Sequence, residues 1–187
     1  MYPRYDIEQD AVIKNIADYL ASDYVFGKVS ENCALEQIDR TFGMLLTGQP
    51  GNGKSTLILA LQKIISLLNM RDPSAPSTEI RDLCLPVYTA PQIVNIFTQN
   101  KIQFDQMCKK HILAIDDVGT ESLEVLQYGN IYSPIKELIY SRYNDHLFTI
   151  LSTNLNAIDF AEKYGSRIED RTKEMFRVFK FPNKTFR

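Results

Sequence analysis

Residues 48 to 55 read Gly48-Gln49-Pro50-Gly51-Asn52-Gly53-Lys54-Ser55, a full match to the phosphate-binding pattern G-x-x-x-x-G-K-[ST]. No other feature of the chain constrains the fold as strongly, because this loop works only where a strand ends and a helix begins. Several backbone N–H groups must converge on one polyphosphate. The glycines allow the left-handed turns and close backbone approach that aim them. The flanks agree: Gly43-Met44-Leu45-Leu46-Thr47 is a short apolar run of strand type. After it, Leu57, Ile58, Leu61, Ile64, Ile65 and Leu68 recur at helical spacing. Phosphates at that helix N-terminus meet a favourable dipole. Lys54 then reaches the β/γ-phosphates, the Ser55 hydroxyl ligates Mg²⁺, and Thr56 lies in the same first turn. A glycine-rich loop matching by chance is the alternative, and a strand before it with a helix behind it argues against that.

A chain of 187 residues has room for one domain with a substantial core. No apolar run approaches a membrane span, and Arg4, Asp6, Glu8 and Asp10 interrupt any signal-peptide pattern. Cys33, Cys84 and Cys108 are odd in number and lack metal-ligand spacing, as expected of reduced thiols in a cytoplasmic protein. A net charge of −2 excludes nucleic-acid recognition by bulk charge but not local contact. The densest basic pieces are Lys109-Lys110-His111, which reads as a solvated face, and Arg167, Arg171, Lys173, Arg177, Lys180, Lys184 and Arg187.

Strand and helix patterns alternate along the chain. A helix is expected from Ile7 to Leu20, then a loop and short helix over 22–41, and a surface loop from Arg71 to Thr78. Strands are expected at Pro86–Ala90, His111–Ile115, Leu147–Ser152 and Phe176–Phe181. Helices are expected from Pro91 to Gln99 or beyond, over Ser133–Tyr143 and Asn156–Tyr164, and over Ser166–Lys173. Such alternation implies a parallel sheet covered on both faces. The expected organisation is an N-terminal helical arm, 1–41, followed by a core, 42–187.

Ile112-Leu113-Ala114-Ile115-Asp116-Asp117 is an apolar strand ending in two acids, the Walker B pattern. Its C-terminal end opens onto the crevice where ligands bind in such sheets. Asp116 is placed to hold Mg²⁺ and Asp117 to polarise an attacking water. An exposed turn is the alternative. Phe148 to Asn154 forms the next strand, and the Asn154 amide can contact a γ-phosphate and that water, or cap the following helix. Arg167 and Arg171 share one helical face. A guanidinium presented by a neighbouring subunit stabilises a transferring phosphoryl group. The same spacing also suits an ion pair with Glu169, Asp170 or Glu174.

Taken in order, the P-loop, Asp116-Asp117, Ser152-Thr153-Asn154 and Gly165-Ser166-Arg167-Ile168-Glu169-Asp170-Arg171 resemble the AAA+ ATPases, and within them the DnaC/IstB-like helicase-loader group. The likeness covers roughly residues 40 to 180. Gly119-Thr120-Glu121 with Tyr128-Gly129-Asn130 is similar to loader-like proteins of Bacteroides-type bacteria. The resemblance implies an AAA+ parallel sheet without a C-terminal helical lid domain, and ATP with Mg²⁺ as cofactors. It makes Asn154 the sensor residue and Arg171 the arginine finger, with Arg167 a second candidate. Self-association through the ATP site, a replicative helicase and single-stranded DNA are the implied partners, in the cytoplasm. Two further readings stand beside it: an IstB-like transposition ATPase on duplex DNA, and a nucleotide-gated adaptor with little turnover. Asp117, where most AAA+ proteins carry Glu, favours the adaptor. A small-molecule kinase is disfavoured, since no basic lid is evident. The aromatic start Tyr2-Pro3-Arg4-Tyr5 is either a flank for adenine or a packed arm.

Overall fold

Three of the apolar runs become neighbouring parallel strands, and everything else is arranged around them. The computed structural model describes residues 7–21, 41–68, 72, 82–127 and 129–182. The five-stranded sheet contains β1 (Gly43–Thr47), β2 (Val87–Thr89), β3 (Ile112–Val118), β6 (Phe148–Thr153) and β7 (Arg177–Lys180), in the order β2-β3-β6-β1-β7. Every pairing in it is parallel. A separate antiparallel hairpin pairs β4 (Val125–Gln127) with β5 (Asn130–Tyr132).

Successive strand residues point to opposite faces, so a strand buried on both sides feeds two cores. In β3, Leu113 and Ile115 join one core and Ile112 and Ala114 the other. The first core lies under α3 (Ala90–Gln99), α4 (Lys101–Cys108), α5 (Pro134–Asn144), α6 (Ala157–Tyr164) and α7 (Ser166–Met175). Beneath α1 (Ile7–Ala21) and α2 (Lys54–Leu68), Ile16, Tyr19, Ile58 and Leu61 close the second. This is the expected fold class, a parallel sheet flanked by helices on both faces.

Local chemistry sets the element boundaries. Thr89 caps α3 in a capping box with Gln92. The expected extension past Gln99 becomes a second helix because Asn100 leaves helical geometry and its side chain accepts from Gln103 N–H. The β4–β5 hairpin was not expected. Three-residue strands are too short to show alternation, although Val125 and Tyr132 do pack inward while Leu126 and Ile131 face solvent. The apolar stripe expected along α2 turns inward only in part, since Ile64 and Leu68 are exposed. A helix on a sheet buries one stripe, and α2 carries apolar residues all round.

The aromatic start at Tyr2–Tyr5, residues 22–40, Arg71, residues 73–78, Tyr128, Lys184 and Arg187 lie outside the described residues. Cys84 and Cys108 are free thiols, and burial raises that of Cys108 to about 11. No described helix is long and apolar enough to cross a membrane.

Candidate nucleotide-binding site

The register places three strand ends side by side. Thr47 of β1 pairs with Thr153 of β6, which pairs on its other side with Val118 of β3. The P-loop, the two acids and Asn154 therefore leave the sheet at the same edge. This is the carboxyl end of the strands, where ligands bind in open parallel sheets.

From β1 the chain turns at Gly48, whose φ of 144° is compatible with glycine alone. A Cβ there would stand 2.3 Å from Asn52 Nδ2 and 3.0 Å from the Phe181 carbonyl. The loop then enters α2 at Lys54. No acid occupies the first turn of α2, so its N–H groups and dipole face the cleft without a competing carboxylate. The cleft holds about 360 Å³ and is lined by Pro50 through Thr56 together with Asp117, Thr120 and Asn154.

Lys54 is buried, and its ammonium has four acceptors: Gly48 O at 2.8 Å, Gln49 O at 3.0 Å, Asn52 Oδ1 at 3.1 Å and Asn154 Oδ1 at 2.8 Å. Burial lowers its pKa, opposed by the nearby Asp117 and Asp116 carboxylates. Asn154 does not cap the following helix. That work falls to Asn156, which accepts from Asp159 N–H at 2.9 Å, leaving the Asn154 amide in the cleft.

The acids are set by Ser152. Its hydroxyl donates to Asp116 Oδ1 and accepts from the Asp117 N–H at 2.9 Å. The ladder slips between Ile115 and Val118, and Asp117 adopts a φ of 56°. For a non-glycine residue this left-handed geometry is strained, and such outliers cluster at functional sites. The slip separates the two carboxylates: Asp117 lines the cleft while Asp116 is tied to Ser152. Ser55 in the cleft offers a hard oxygen of the kind that suits Mg²⁺, an ion usually held by one or two protein oxygens with phosphates and water. Asp116, the other expected donor, is not among the residues lining the cleft.

The arginines stand elsewhere. Arg171 stacks over Tyr140 at 4.0 Å, donates to Tyr140 Oη at 2.7 Å and to Arg167 O at 3.1 Å. The ion-pair alternative is not what the structure has, since Glu169 holds Lys173 at 2.7 Å and Glu174 accepts from Tyr143. Arg167 is exposed and lines a separate open cavity of about 680 Å³ between α5 and α6–α7, with Lys136, Tyr140 and Tyr164. Neither arginine lines the cleft of its own chain.

Sequence reading overlooked Thr120, which lines the cleft and donates to Asp117 O at 2.8 Å, and Glu121 behind it. The family resemblance includes Gly119-Thr120-Glu121 but gives these residues no role, and adjacency to the acidic pair was the further signal. Gly119, at φ 109°, packs so closely that a Cβ would lie 2.7 Å from Leu155 Cδ1. Gly119→Ala is expected to cost about 1–3 kcal/mol through strain. That corresponds to a fall in melting temperature of roughly 3–10 °C. A thermal melt checks the shift.

Comparison with solved structures places the fold. The DnaC helicase loader is similar over 97% of this chain and 94% of that one, with a TM-score of 0.63 and 18% identity. DnaI is similar over 97% and 88%, at 0.63 and 15%. A replication initiator DnaA bound to AMPPCP and single-stranded DNA is similar over 81% of this chain and 44% of its own, at 0.52 and 14%. No protein-family model matches the chain, and no curated protein sequence does. The fold is therefore the one shared with the DnaC, DnaI and DnaA structures, and the resemblance read from the motifs holds at the level of fold.

Proposed function

We propose that this chain binds and hydrolyses ATP with Mg²⁺ as an AAA+ ATPase, and that it acts in DNA replication as a DnaC-like helicase loader in the cytoplasm. The observation that carries the ATPase reading is the convergence of Lys54, Asp117 and Asn154, from three separate elements, on one cleft at the N-terminus of α2. P-loop N–H groups and Lys54 hold the phosphates. Ser55 and Asp116 would hold Mg²⁺, which would neutralise phosphate charge when bound. Asp117 accepts a proton from, and orients, the attacking water. Asn154 keeps Oδ1 as acceptor for Lys54 and offers its Nδ2 donor to the γ-phosphate.

The cleft requires a second copy. Among the described residues Lys54 is its only cationic lining residue, whereas phosphoryl transfer needs a further charge opposite it. Arg171, with Arg167 as the second candidate, supplies that charge to a neighbour's site. Leaving Tyr140 costs Arg171 a cation–π contact and two exposed hydrogen bonds, together on the order of 1.5–4 kcal/mol, which the desolvated phosphate has to offset. The similar loaders and the DNA-bound initiator support a replicative helicase and single-stranded DNA as partners.

The expected result is an ATPase rate that rises more than linearly with protein concentration and responds to single-stranded DNA. Arg171→Ala should lower it by about 10³-fold or more, the range of arginine fingers, while leaving nucleotide affinity and melting temperature nearly unchanged. A rate linear in protein and indifferent to DNA and to Arg171 would withdraw both the finger and the loader reading. The second reading, a nucleotide-gated adaptor, would then stand. Its supporting observations are the short Asp117 side chain and the seat of Arg171 on its own Tyr140. Preference for duplex over single strands would point instead to the transposition ATPase.

A further inference from the structure

Behind the cleft, the loop after β3 is fastened to the end of α6 by a buried carboxylate and by the Lys163 ammonium. The Glu121 side chain is 1% exposed. One of its oxygens accepts from Gly119 N–H at 2.8 Å, and the other from Tyr164 Oη at 2.5 Å. Lys163 stands 3.5 Å from the carboxylate and donates to the carbonyls of Gly119, at 2.6 Å, and Glu121, at 2.9 Å. Burying a carboxylate is costly, and an apolar side chain would fill the same space with less penalty. Here both oxygens are spent on groups from two different elements.

Those elements have separate tasks. On one side Gly119 precedes Thr120, which lines the cleft and is bonded to Asp117 O. On the other, Tyr164 is the last residue of α6, and Gly165 follows at φ 84° with open space around it. Gly165 O then accepts from Ile168 and Glu169 N–H, starting the helix that carries Arg167 and Arg171. Burial and the bond to Glu121 raise the Tyr164 pKa, so its hydroxyl keeps its proton and serves as donor throughout the working pH range.

We propose that Glu121 is a positioning residue that couples the nucleotide-facing loop Asp117–Thr120 to the Tyr164–Gly165 pivot, so that occupation of one copy's cleft adjusts the arginines it offers to the next. The coupling rests on the nucleotide-binding reading above, and its test separates the two. Hydrogen exchange is followed in peptides covering the P-loop and the α6–α7 junction, with and without Mg²⁺ and AMPPNP. In the wild type, nucleotide slows exchange in both, the junction by about five-fold or more, the range of a typical coupling energy.

Tyr164→Phe keeps the ring packed against Phe160, at 4.6 Å between centroids, and removes only the bond to Glu121. It is expected to retain the P-loop response and lose the junction response. Glu121→Gln keeps an acceptor for Gly119 N–H and offers a donor to the tyrosine oxygen, so the junction response survives. A purely structural role would instead shift melting temperature in both variants and leave the nucleotide response alone. A junction response that persists in Tyr164→Phe, vanishes in Glu121→Gln, or is missing from a wild type whose P-loop responds overturns the coupling alone. No slowing at the wild-type P-loop overturns the nucleotide reading and this inference with it.

Discussion

Lys54→Ala is expected to weaken ATP binding by roughly 10²- to 10⁴-fold and to bring hydrolysis to background. The ammonium is the only cation lining the cleft among the described residues. With two charge-assisted bonds to phosphate at about 1.5–3 kcal/mol each, its loss accounts for that range. The fold should tolerate the change, because the acceptors Asn52 and Asn154 line an open cleft and water can take the place of the ammonium. Titration with a fluorescent ATP analogue reads the affinity, and a thermal melt separates lost binding from lost structure. Lys54→Arg should fare little better, since a planar guanidinium fork does not reproduce the compact point charge that an ammonium presents to phosphate. Affinity within three-fold of wild type in the alanine variant would remove the phosphate-binding role from this loop.

The largest effect on stability is expected at Arg142, far from the chemistry. Its guanidinium is fully buried on α5 and donates to four oxygens. These are Thr149 Oγ1 at 2.7 Å, Phe148 O at 2.7 Å, Lys110 O at 2.7 Å and Cys108 O at 3.1 Å. One side chain therefore joins the end of α4, the approach to β3 and the start of β6. Burial pushes its pKa down to about 10, which leaves it charged at neutral pH. Arg142→Ala strands three carbonyls whose desolvation costs about 1–3 kcal/mol each. Some relaxation leaves a loss on the order of 4 kcal/mol, a large share of the 5–15 kcal/mol typical of a domain. The melting temperature should fall by roughly 8–16 °C. Arg142→Met fills the volume yet cannot supply the donors, so it should fall nearly as far, and Arg142→Lys about half as far. Urea unfolding of the three variants orders them, and a methionine variant as stable as wild type would mean the carbonyls find other partners.

These two residues differ in how far the sequence reveals them. Lys54 is announced by its motif, since P-loop chemistry is local: one turn, one helix end and one ammonium within eight residues. Arg142 is invisible, because a charged residue in a helical pattern reads as solvent-facing. Only the packing of α5 against β3 and β6 turns its head inward. Asn154 lies between these cases. Its place after an apolar strand allowed two roles, and the alternative was removed only when Asn156 proved to be the cap and Asn154 met Lys54, a hundred positions away.

The sequence by itself determined the fold class, the order along the chain of the main sheet's strands and most of its helices, and the loop and acidic motifs, because each is written in short-range periodicity or in a contiguous motif. It missed the β4–β5 hairpin and the break that makes α4. Tertiary structure alone decided the rest. The strand order brought Thr47, Val118 and Thr153 to one edge. A slip in the β3–β6 register sent Asp117 into the cleft and tied Asp116 to Ser152. Packing laid Arg171 on Tyr140 and joined Glu121 to Tyr164 across 43 positions. Those contacts are long-range pairings of polar groups that must satisfy one another once buried. No local pattern encodes which partner each will find.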